Sequence, residues 1–239
     1  MVNGKYAVTI VGFGGIAGWH LENLSGIENV AVRGAYDIKP QRNRAAEKAG
    51  LTAFSSLEEA LADEATDIIL VAAPNDAHKE IAVKALKAGK HVFCEKPVAL
   101  SSDELTEMQK TADACGRVFT VHQNRRFDGD FRTAEAVIRG GALGDIFNIE
   151  SRVHGSRGIP GDWRGQKEHG GGMVLDWGVH ILDQMLLFYP GAKITNVFAQ
   201  LTNVTNGEVD DGFKIFLDFD NGVAALVEVG TSNFISLPR

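Results

Sequence analysis

VTIVGFGGIAG, residues 8–18, passes from a β-branched strand through a turn of small residues into the start of a helix. Gly12, Gly14 and Ala17 stand in G-x-G-x-x-A order. In that context the first glycine permits a tight turn, the second lets backbone N–H groups approach a pyrophosphate, and the alanine allows close helix-on-strand packing. The helix N-terminus adds a favourable field for the anion. A glycine pattern alone also fits a turn in a protein that binds no nucleotide. Here the next hydrophobic run, residues 30–36, leads into Asp37, an acid placed to hydrogen-bond the ribose hydroxyls of adenosine. Strand, glycines, helix and acid in this order predict dinucleotide binding. The Asp37 charge opposes a 2′-phosphate, which favours NAD over NADP. Lys39 and Arg42 keep NADP open, either as phosphate contacts or as solvated charges at a helix start.

Working outward, apolar runs at residues 6–11, 30–36, 67–71, 91–94 and 118–121, with a weaker one at 51–54, alternate with helical patterns at 16–24, 41–49, 57–61, 77–88 and 103–114. Such alternation predicts an α/β fold, a doubly wound parallel sheet of the Rossmann type. Ser102 reads as a helix start and Gly89 as a helix stop. Beyond about residue 123 the pattern changes to a helix (131–139), a strand (145–154), a polar loop, an apolar helix (173–189) and long strands at 194–205, 210–219 and 223–231. Phe213, Ile215, Leu217 and Phe219 alternate with Lys214, Phe216 and Asp218, as in an antiparallel sheet with two unlike faces. Two domains are expected: a dinucleotide-binding domain at 1–122 and an α+β substrate and oligomerisation domain at 123–239.

With 24 basic and 31 acidic residues the net charge is −7, and no Lys/Arg stripe suited to phosphate tracking occurs, so nucleic acid is not an expected partner. The longest aliphatic run is too short to cross a bilayer, and the N-terminus lacks an export pattern, so neither membrane nor secretion is expected. Cys94 and Cys115 lack metal-ligand spacing, which fits a reducing cytoplasm.

Two loops follow apolar strands at the edge where doubly wound folds bind ligands, Pro74-Asn75-Asp76-Ala77-His78 and Glu95-Lys96-Pro97. Lys96 there can donate to a hydroxyl or a developing alkoxide, or act as a base if desolvated; it also reads as a surface lysine before a proline. In the apolar helix, Asp176, His180 and Asp183 fall three and four apart and so share one face. An imidazole on that stripe can take a proton from an alcohol while Asp176 orients it, although a buried structural histidine has the same signature. A metal held by Asp176, His180 and Asp183 is conceivable, but no further ligand pair is evident and none is expected. Trp163 and Arg164 stand just before the glycine run Gly170-Gly171-Gly172, in a loop that reads as a lid, a substrate contact or plain surface.

GFGGIA (12–17), PNDAH (74–78), EKP (95–97), NRRF (124–127) and GGGMVLDWGVHILD (170–183) occur here in one order. In these motifs the chain resembles the glucose–fructose oxidoreductase, inositol dehydrogenase and MocA family of NAD(P)-dependent enzymes along essentially its whole length. The resemblance implies a Rossmann domain and a second domain with a large, open, mostly antiparallel sheet, through which homodimers or homotetramers form. It implies hydride transfer between NAD and a secondary alcohol of a sugar, inositol, polyol or glycoside. Lys96, Asp176 and His180 are the implied catalytic residues, with His180 as acid/base. Gly12, Phe13, Gly14, Gly15, Ile16 and Asp37 are the implied cofactor contacts of the glycine loop. Pro74, Asn75, His78, Glu95, Lys96 and Arg164 extend that set, while Arg125 and Trp163 join Lys96, Asp176 and His180 against substrate. Two other activities remain open: a glycosidase that reduces and reoxidises its NAD within each cycle, and a non-catalytic NAD-sensing regulator. Relatives continue for roughly another hundred residues, so the chain reads as cut short at Ser236–Arg239 with an unfinished sheet edge, either because it is a fragment or because another chain covers that edge.

Overall fold

The computed structural model describes residues 4–235, so Ser236–Arg239 lies outside the described residues. The chain divides into two compact units, Met1–His122 and Gln123–Arg239. In the first, strands β1 (Tyr6–Val11), β2 (Val30–Tyr36), β3 (Thr52–Ala53), β4 (Ile68–Val71), β5 (His91–Cys94) and β6 (Phe119–Val121) form one sheet in the order β3-β2-β1-β4-β5-β6. Every pairing in it is parallel. The connecting helices are α1 (Gly15–Ser25), α2 (Pro40–Lys48), α3 (Leu57–Ala62), α4 (His78–Lys87) and α5 (Ser102–Cys115). Strand alternation splits the core between the two faces: Ile69 and Val71 join Ile81, Leu86 and Met108 on one, while Leu70 joins Ile10, Ala17 and Ala35 on the other. Strand order reverses between β1 and β4, the switch point at which doubly wound sheets open a ligand crevice.

α5 starts at Ser102, as read, and the residue before it supplies the capping hydroxyl. Ser101 is the cap: its hydroxyl accepts from Glu104 N (3.2 Å), while the Glu104 carboxylate accepts from Leu100 N (2.9 Å). The hydroxyl satisfies the Glu104 amide, which the first turn leaves without a partner, and the carboxylate reaches back to the amide just ahead of the cap. Among the described residues, no helix is long and apolar enough to cross a membrane.

The second unit carries α6 (Gly129–Arg139), α7 (Val179–Phe188) and a sheet of β7 (Asn148–His154), β8 (Ile194–Thr202), β9 (Gly212–Phe219) and β10 (Ala224–Gly230) in the order β7-β10-β9-β8. β9 runs antiparallel to both neighbours, whereas β7 and β10 are parallel, so the sheet is mixed. Phe213, Ile215, Leu217 and Phe219 pack inward with Ile181, Met185 and Phe188 of α7, as their alternation requires. The predicted helix at 173–189 is in part corrected. It opens with a π-helical turn, Val174–Gly178, and becomes α-helical only at Val179.

Candidate functional site

Gly12 adopts φ +93°, and a Cβ there would lie 2.5 Å from Ala72 O and 2.6 Å from Ala73 N. Only glycine lets the end of β1 pass this close to the end of β4. A Cβ at Gly15 would meet nothing within 4 Å, and one at Gly14 would meet only the Arg42 guanidinium, at 3.5 Å. The loop therefore presents open backbone at the N-terminus of α1, which fits a pyrophosphate. Asp37 is buried and braces this loop: its Oδ2 accepts from Phe13 N (2.8 Å) and its Oδ1 from Lys39 N (2.8 Å). Arg42 Nη1 also lies 3.2 Å from Asp37 Oδ2, so its charge is paired at the loop rather than free in solvent.

The next two strand ends are tied together. His78 is fully buried, with its ring nitrogens 2.9 Å from Pro97 O and 2.9 Å from Ala73 O, which joins the loop after β4 to the loop after β5. Burial is the main influence on this imidazole and lowers its pKa. Glu95, expected among the cofactor contacts, is buried and bonded through its carboxylate: Oε1 accepts from His20 Nε2 (2.6 Å) and His122 Nδ1 (2.8 Å), and Oε2 accepts from Lys96 N (3.2 Å). Sequence inspection missed this cluster because its members lie 75 and 27 residues apart. One signal was present: His20 stands three residues after Ala17, on the buried side of α1.

Burial pushes the Glu95 carboxyl upward, but hydrogen bonds from His122 and then His20 outweigh it and hold the pKa at about 2, below the ordinary glutamate value of 4.5. A depression of that size corresponds to about 3 kcal/mol. With the folded pKa below the unfolded one, this stabilisation is present above about pH 4.5 and drains away as pH falls toward 2. Urea unfolding of the parent and Glu95→Gln at pH 6 and pH 3 should show the parent's advantage shrinking at the lower pH; an advantage independent of pH would contradict the assignment.

In the second unit the glycine run is a packing device. Gly171 N donates to Gln166 O (3.0 Å) and Gly172 N to Arg164 O (2.9 Å), and a Cβ on Gly171 would lie within 2.2 Å of Arg164 O. This pins Trp163 and Arg164 beside the start of the helix. The Arg164 Cζ stacks 4.6 Å from the Trp163 ring centroid, and its Nε lies 3.3 Å from Asp176 Oδ1. Asp210, absent from the predicted set, holds the helix start: its Oδ2 accepts from Val174 N (2.9 Å) and its backbone oxygen from Met173 N (3.0 Å). Burial raises the pKa of this carboxyl.

The expected stripe of Asp176, His180 and Asp183 assumed one regular α-helical winding. Asp176 sits in the π turn, whereas His180 and Asp183, three apart, lie in the regular winding of α7. Asp183 is engaged by both arms of Arg126, at 2.7 and 2.6 Å. His180 is buried, with its ring 6.1 Å from that of Trp177. The NRRF turn serves as a clamp: Arg125 Cζ lies 4.2 Å from the Trp177 centroid, Gln184 Nε2 donates to Arg125 O (2.7 Å), and Gln123 Nε2 to Val179 O (2.8 Å). Lys96 belongs to the first unit, and Arg125, Trp163, Arg164, Asp176 and His180 belong to the second.

Residues 6–123 match the family model described as an oxidoreductase family with an NAD-binding Rossmann fold, and residues 131–236 match the C-terminal domain model of the same family. The chain belongs to the Gfo/Idh/MocA family. A solved NAD-binding protein from Listeria innocua superposes with a TM-score of 0.96 at 49% identity, over 98% of this chain and 69% of that one. The scyllo-inositol 2-dehydrogenase (NADP(+)) of Bacillus subtilis is 34% identical over 68% of this chain and 46% of its own. Glucose-6-phosphate 3-dehydrogenase of the same bacterium is 31% identical over 90% of this chain and 65% of its own. The chain thus spans about half the length of the first of these curated relatives and under two thirds of the second. Family membership makes it an NAD-binding Rossmann protein related to inositol and sugar dehydrogenases.

Proposed function

We propose that this Gfo/Idh/MocA member oxidises a secondary alcohol on a ring-shaped polyol or sugar, with His180 as the proton acceptor and Lys96 as a donor to the alcohol oxygen. The observation that carries the reading is the Arg164–Asp176 pair, 3.3 Å apart, at the mouth of the helix that buries His180. A guanidinium keeps Asp176 ionised and in place, and an ionised acid near an imidazole favours the cation formed when the hydroxyl proton arrives. Bound NAD supplies the hydride acceptor. Gly12, Phe13, Gly14, Gly15 and Ile16 cradle the pyrophosphate through backbone N–H groups, and Asp37 meets the adenosine ribose, which favours NAD over NADP. Pro74, Asn75 and His78 shape the loop after β4, whereas Glu95 contributes by holding Lys96 N. Arg125 and Trp163, each half of an Arg–Trp stack, present planar groups suited to a sugar ring.

The relatives named for inositol and for glucose 6-phosphate support this substrate class. We also infer a homo-oligomer formed through the second unit's sheet, where Phe198 and Phe216 are exposed and stack with ring centroids 6.1 Å apart, and a cytoplasmic setting suited to two free cysteines. The test incubates the protein with NAD and a panel of inositols, aldoses, glycosides and sugar acids while NADH absorbance is followed. NADH formation with a ring polyol or sugar is expected. Sugar release without net NADH would replace this reading with the internally redox-cycling glycosidase, and turnover confined to simple acyclic alcohols would overturn the substrate class.

A further inference from the structure

His20, Glu95 and His122 place three potential metal-ligand atoms within 4.8 Å of one another. The contacts inside the cluster are those of hydrogen bonds rather than of a metal shell: both rings address the same oxygen, Oε1, at 2.6 and 2.8 Å. An ionised carboxylate only accepts, so His20 carries its proton on Nε2 and His122 on Nδ1. The rings are packed together, with His20 and His122 centroids 4.8 Å apart and Phe93 5.3 Å from His122. Each member comes from a different element at the ligand-binding edge of the sheet. His20 lies in the middle of α1, Glu95 follows β5, and His122 follows β6.

The position of His20 matters because α1 is the helix whose first turn is open to a pyrophosphate. Only Ala17 and His20 of this helix are buried. Asn23 and Ser25 bond back to carbonyls of their own helix, so among the described residues His20 is the α1 side chain that hydrogen-bonds to another element. Ala17 sets the distance of the helix from the sheet, and the charged bond to Glu95 sets its rotation and its slide along the strands. A helix free to slide carries its exposed N-terminal amides with it, and anion binding at a helix end decays within the first turn. We infer that the His20–Glu95–His122 cluster is a positioning device for the dinucleotide, fixing from beneath the sheet edge the helix whose N-terminus receives the pyrophosphate.

NADH fluorescence titration with the whole protein tests this without any need for a substrate, with thermal unfolding run alongside. His20→Leu should weaken NADH roughly ten- to hundredfold, the scale of a lost charged hydrogen bond. His20→Gln, whose amide nitrogen can donate from the position of Nε2, should stay within about threefold of the parent. His122→Leu and His122→Asn form the matching pair at the Nδ1 position. A role confined to stability predicts lowered unfolding temperatures with NADH affinity unchanged, and that result overturns the inference. Equal losses in affinity for the leucine and amide variants at both positions also overturn it. Should His20→Leu fail to fold, the His122 pair decides by the same criteria.

Discussion

Replacement of Gly12 by alanine is expected to abolish measurable NADH binding and to lower the unfolding temperature substantially. A Cβ at this position points at main chain, with Ala72 O at 2.5 Å and Ala72 C and Ala73 N at 2.6 Å, and none of these atoms can swing aside as a side-chain tip could. The residue also holds φ +93°, a conformation L-residues adopt at a cost. Backbone strain and overpacking together amount to about 2–5 kcal/mol. The chain can relieve the overlap only by moving β1 away from β4 or by reshaping the turn, and either one displaces Phe13 N from Asp37 and the amides at the start of α1. Gly15→Ala is the control: its Cβ meets nothing within 4 Å and the position begins a helix, so the fold should be retained. Calorimetry and NADH titration of both variants check the contrast. Parent-like affinity in Gly12→Ala would remove the glycine loop from the binding site.

The sequence made this loop legible because its constraint is local: a strand, a turn and a helix start within eleven residues of one another. The parallel strands were legible for a related reason. Burial on both faces leaves unbroken Val/Ile runs such as Ile68–Val71, and the alternating faces of β9 announced an antiparallel strand in the same way. What escaped depends on pairs that only the fold brings together. Nothing near Val174 announces a π turn; its amide is taken by Asp210, 36 residues later in sequence. His180 and Asp183 lie three apart in α7, as their spacing implied, but the Asp183 carboxylate is taken by Arg126, 57 residues earlier in sequence. The partners of Glu95 escaped for the same reason. Its neighbours in the loop at the ligand edge announce Lys96 and nothing of the two histidines, remote in sequence, that bond its carboxylate. That Ser101, immediately ahead of α5, supplies the cap is a distinction of one residue that hydrogen bonding decides.

His180→Ala is expected to lower turnover of whichever alcohol the panel identifies by ~10²–10⁴-fold, the usual contribution of a positioned general base, while leaving NADH affinity within about threefold of the parent. The separation follows from the fold: His180 belongs to the second unit, and the glycine loop, Asp37 and the ends of β1 and β4 all belong to the first. His180 is also a core residue, 4% exposed and edge-on to Trp177, so alanine leaves a cavity that could loosen α7 and mimic a catalytic loss. His180→Gln addresses this. It keeps most of the volume and a polar terminus but cannot take up a proton near neutral pH, so it should be as inactive as the alanine variant while unfolding close to the parent temperature. A fall in turnover shared by both variants, with only alanine destabilised, identifies lost proton transfer. Recovery of parent-like turnover in His180→Gln would make the residue a packing element and move the search for the base to Lys96, whose replacement by methionine tests the alternative directly.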